Sequence, residues 1–123
     1  MGKFETIDGG PLPIDLERLT HHTAGDADVA RDVLKIFSDQ TEVWTAALKS
    51  APSPQAWRDT AHTMKGAARG VGAVELGNLA EEAERVEAFG TADHDDLMAR
   101  LEHAMARARR YAVQLSEDSP FVG

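Results

Sequence analysis

His62 is the residue in this chain whose neighbours are best arranged for chemistry. Placed on a helix, Arg58, Lys65, Gly66 and Arg69 all fall within about 60° of it, and Gln55 lies roughly one turn further along the same stripe. Trp57, Ala61, Met64, Ala67, Ala68 and Val71 take the opposite side and read as a core face. His62 therefore faces water. A mid-helix glycine costs about 1 kcal/mol relative to alanine, so Gly66 needs a compensating use. With no Cβ at i+4, a partner can approach the imidazole closely. The cations disfavour imidazolium by like-charge repulsion and could hold an anion once it is attached. These features suit a histidine that attacks a phosphoryl group and carries it as a phosphoramidate. Such transfer needs mostly positioning and charge stabilisation. The sequence places no carboxylate cluster beside His62 for Mg²⁺ and has no Walker loop. The metal and most of the catalytic machinery are therefore expected on a partner.

The surroundings of this motif are acidic. The 123 residues carry a formal net charge of −8, which argues against nucleic-acid phosphates as a ligand. Yet from Pro52 to Gly72 three basic residues face one acidic residue, and from Ala73 to Gly90 five glutamates face Arg85 alone. The histidine sits on a positive island. Cysteine is absent, so disulfides and thiolate metal sites are excluded. No apolar run approaches the roughly 20 residues of a membrane span. The N-terminus has no apolar signal core, and a cytoplasmic location is expected. His21 and His22 diverge by about 100° on a helix and make a poor chelate. His94 and His103 have no ligand partners at metal-binding spacing, so no metal site is expected.

Alanine, leucine, glutamate and arginine dominate, which is helix composition. No alternating run is long enough for a strand. A loose tail is expected over 1–11, a helical domain over 12–115 and a second tail over 116–123. A short helix follows Pro13, with Ile14, Leu16 and Leu19 as its apolar contacts. Asp26 or Asp28 caps the next helix, which runs to about Lys49 and buries Val29, Val33, Ile36, Phe37, Trp44, Ala47 and Leu48. Ser53 and Pro54 start the third, and Gly70 and Gly72 close it. The fourth buries Leu76, Leu79, Ala80, Ala83 and Val86 and ends at Gly90. The last runs from about Asp93 to Leu115. Short connections between long amphipathic helices predict an all-α, up-and-down antiparallel four-helix bundle with an extra short N-terminal helix. Glu81, Glu82, Glu84 and Glu87 read as a solvated face.

The stretch AHTMKGAARGVGA resembles the signature of histidine-phosphotransfer domains: His, two residues, Lys-Gly, then five residues and Gly. Here these are His62, Lys65, Gly66 and Gly72. VLKIFSDQTEVW and LGNLAEEAERVE also resemble helices of that family, so the likeness extends over about residues 14–115. The resemblance implies that His62 is phosphorylated through Nε2. It implies that Lys65 steadies the phosphoryl group and that Gly66 clears space for a response-regulator receiver domain carrying an aspartate and Mg²⁺. The implied partners are receivers and a hybrid histidine kinase, with this chain a monomeric phosphocarrier holding no cofactor of its own. Arg69 stands where the family often has a small residue, so its role is open between steadying phosphate and selecting a partner. The place of Arg58 rests on helix geometry alone. Two rival readings stand beside this one. One is a phospho-accepting domain of a larger kinase, fed from ATP. The other is a helical adaptor without chemistry.

Overall fold

Four helices begin at a side chain that caps them. Asp15 accepts from the backbone N–H groups of Glu17 and Arg18 at the start of α1 (Leu16–His22), and Asp26 does the same for Asp28 and Val29 at the start of α2 (Ala27–Lys49). Ser53 caps α3 (Pro54–Val71), with Pro54 in the first turn, where its missing N–H is harmless. Thr91 accepts from the His94 N–H at the head of α5 (Ala92–Asp118). Between α3 and α5 lies α4 (Val74–Ala83), which has no side-chain cap. The computed structural model describes residues 6, 7 and 10–118. Ahead of the helices, β1 (Thr6–Ile7) and β2 (Gly10–Pro11) pair as a two-residue antiparallel ladder. The remaining parts of both expected tails lie outside the described residues.

Helix α2 packs on α3 and α5, α4 packs on the same two, and α1 leans on α3. The shared core includes Ile14, Leu19, Leu34, Phe37, Trp57, Met64, Leu76, Leu101 and Met105. Gly72 is fixed by two constraints. It takes φ 82°, ending α3 in the left-handed region, and a Cβ there would stand 2.6 Å from the Asp15 carbonyl oxygen. The close approach lets the Asp15 N–H donate to the Gly72 carbonyl at 2.7 Å. His22 Nδ1 lies 2.9 Å from the Gly70 carbonyl oxygen and adds a second tie between α1 and α3. Gly70 itself is still helical; only Gly72 closes the helix.

Three expectations fail here, each for a physical reason. Helix α4 ends at Ala83 instead of running to Gly90. Carbonyls at and beyond its end are taken from outside: Trp57 Nε1 donates to the Ala83 oxygen at 2.9 Å, and Arg58 donates to the Val86 oxygen at 2.7 Å. The chain tightens through i→i+3 bonds from Arg85 and Val86 as it leaves. On α2, Val29 and Ile36 are not core: they are 43% and 62% exposed. The buried stripe runs instead through Ala30, Leu34, Phe37, Ser38, Thr41, Trp44 and Leu48. Thr41 and Ser38 can enter it because their hydroxyls donate to the Ser38 and Lys35 carbonyls. Finally, α5 continues past Leu115 to Asp118.

Candidate functional site

The side chain of His62 is 72% exposed in the middle of α3, while Trp57, Ala61, Met64, Ala68 and Val71 on the other side are buried. The division of faces expected from the sequence holds. Gly66 and Gly70 lie on the exposed side, and a Cβ added at either would meet nothing within 4 Å. No contact within the described chain demands glycine there. That distinguishes them from Gly72 and from Gly77, where an added Cβ would come within 3.0 Å of Arg69 Cγ. Gly66→Ala should therefore stabilise the fold by up to about 1 kcal/mol, and on the expectation that Gly66 clears the approach to His62 it should also slow phosphoryl exchange with a protein partner. Denaturant melts and transfer kinetics on the one variant test both signs.

Sequence reasoning missed Glu84. It is the C-cap residue of α4, and its carboxylate spans His62 and Lys65. Oε1 lies 2.5 Å from His62 Nδ1, and Oε2 is ion-paired with Lys65 Nζ. The carboxyl is held below the usual range, chiefly by the Lys65 hydrogen bond; partial burial acts in the opposite direction, and the bond to His62 lowers it further. An ionised carboxylate can only accept, so Nδ1 carries the hydrogen. In the neutral ring the free lone pair is then on Nε2. Glu84 is thus not part of a solvated face.

The basic collar is also less open than expected. Lys65 is occupied by Glu84. Arg58 reaches the Val86 carbonyl and, through its other nitrogen, Gln55 Oε1 at 2.9 Å, while Gln55 donates to Asp59. Arg69 lies across Gly77 and pairs with Glu81 at 3.4 Å. Arg58 and Gln55 therefore brace the exit of α4, and Arg69 lies along α4. None of the three has a hydrogen bond to the imidazole. The repulsion expected around His62 is countered at its nearest point by an anion. No group of three or more His, Asp or Glu among the described residues could hold a metal ion.

Two other features were unforeseen. His94 lies in the first turn of α5, its ring tilted against Trp57 and Phe89 at centroid distances of 4.6 and 4.9 Å. Beside α3, a shallow apolar groove of about 250 Å³ runs between α2 and α3, lined by Val33, Ile36, Phe37, Ala67, Gly70 and Val71. Among the described residues no helix is long and apolar enough to cross a membrane.

An all-helical domain that holds an exposed histidine over a cleared helix face has the makings of a phosphocarrier module. The Hpt domain family matches residues 15–111, and the chain belongs to it. Neither a curated protein nor a solved structure matches the chain. Hpt domains are phosphocarriers of two-component His–Asp phosphorelays, where they interact with receiver domains and kinases, so membership implies phosphotransfer in such a relay.

Proposed function

We propose that this chain shuttles a phosphoryl group between receiver aspartates on His62 Nε2. The observation that carries this reading is the Glu84 contact: it binds Nδ1–H and leaves the other nitrogen to solvent. In the forward step the Nε2 lone pair forms an N–P bond as the acyl-phosphate P–O bond breaks. The bonding pair leaves with the receiver aspartate as a carboxylate. The ring proton stays on Nδ1, where Glu84 stabilises the positive charge that the phosphorylated ring acquires. The return step reverses each change. Lys65, 21% exposed and beside the same carboxylate, can turn one N–H toward the phosphoryl oxygens while it keeps its contact with Glu84. The bare backbone at Gly66 lets the two reacting groups approach. A magnesium ion on the receiver would neutralise charge on the transferred group, and this chain contributes the nucleophile, its orientation and one cation. Arg58, Gln55 and Gly72 act on the frame, and Arg69 lies along α4 against Glu81.

The helices that hold this site form an up-and-down antiparallel bundle in our reading. The ring of contacts α2–α3–α4–α5 supports it, as does the short connection from Gly72 to Ala73. The acidic surface favours a monomer. Donor choice separates this function from that of a domain serving a kinase. A phosphorylated receiver should label the chain rapidly, and a kinase catalytic domain with ATP but no receiver should not. Direct labelling by the kinase domain, with none from receivers, would overturn the shuttle.

A further inference from the structure

The outward side of α2 carries more apolar surface than a solvated helix needs. Val29, Ile36 and Val43 are seven residues apart and 43%, 62% and 56% exposed, so they form one line along the helix. Val33 and Gln40 lie about 40–60° to one side of Ile36, toward the groove and the bare backbone of Gly66 and Gly70. Asp32 and Asp39 lie about 40–60° to the other side. Both are exposed, and neither makes an ion pair or side-chain hydrogen bond among the described residues. Across the groove, beyond His62, Lys65 and Arg69 turn toward α4, where they pair with Glu84 and Glu81. One continuous face therefore runs from an acidic edge on α2, over an apolar centre, to the histidine.

We infer that Asp32 and Asp39 are specificity-determining residues: they select receivers whose docking helix sets lysine or arginine beside its apolar stripe. This rests on the shuttle reading above. The apolar centre supplies contact area to any amphipathic helix, whereas the unpaired acidic edge rejects partners of the wrong sign. A second copy of this chain is the poorer occupant. It carries the same −8 charge, and antiparallel packing of two α2 helices would bring acidic edge to acidic edge.

The test uses the full chain and the receiver that labels it fastest. The double variant Asp32→Lys, Asp39→Lys should lose about tenfold in kcat/KM for transfer at about 20 mM salt, and the loss should shrink at about 0.3 M. Labelling of His62 by phosphoramidate, which needs no docking, should match the parent. Ile36→Asp should slow transfer from the receiver and leave phosphoramidate labelling unchanged. Transfer by the double variant at the parental rate in low salt would overturn the inference, as would an equal loss with phosphoramidate. If phosphoramidate labels the parent but no phosphorylated receiver does, the shuttle reading fails and takes this inference with it.

Discussion

His62→Gln is expected to fold like the parent and to accept no phosphate from any phosphorylated receiver. The substituted side chain is 72% exposed and its one partner among the described residues is Glu84, so unfolding free energy should change by no more than about 1 kcal/mol. Glu84 keeps Lys65 as its partner when the imidazole is gone. Glutamine offers no nitrogen lone pair for an N–P bond, so the loss of labelling should be complete rather than graded. Circular dichroism and a denaturant melt establish the fold, and radiolabel transfer reads the function. A variant that still labels would place the acceptor elsewhere.

Glu84→Ala should slow transfer on the order of tenfold to a hundredfold, because the ring loses both its orientation and the anion that stabilises its charged product. Glu84→Gln is the informative companion. Its amide oxygen can still accept from Nδ1–H, so it should retain more activity than alanine while lacking the charge. Equal rates for glutamine and the parent would assign Glu84 to orientation alone; equal rates for alanine and the parent would remove it from the site. The pH dependence follows from the lowered Glu84 carboxyl. Its folded value lies below the ordinary 4.5, so the contacts with Lys65 and His62 contribute their full stability above about pH 4.5. That contribution is lost as pH falls through the lowered value.

Much of this was legible in the sequence because its signals are local. Asp26, Ser53 with Pro54, and Gly72 mark helix ends through their own side chains or backbone freedom, and the two faces of α3 follow from a 100° rotation per residue. The end of α4 was not legible. Residues 84–89 are mostly good helix formers, and what stops them is Trp57 and Arg58, 26 and 28 residues away in sequence from the carbonyls they capture. Glu84 was hidden for the same reason. In a run with Glu81, Glu82 and Glu87 nothing local distinguishes it. Its role appears only when α4, brought close across Gly77, sets its C-cap residue beside α3. The exposed line on α2 was visible as a seven-residue spacing of Val29, Ile36 and Val43, but hydrophobicity alone assigned two of these to the core. The helix buries Ser38 and Thr41 in their place.

The most direct test maps the phosphate itself. The chain is incubated with a phosphorylated receiver, and the acid-labile, base-stable product is located by mass spectrometry and by NMR of the imidazole nitrogens. A single phosphoryl group on His62 Nε2 is the predicted result. Phosphate on Nδ1, on another residue, or on none at all would contradict a site in which Glu84 occupies one ring nitrogen and offers the other to the partner.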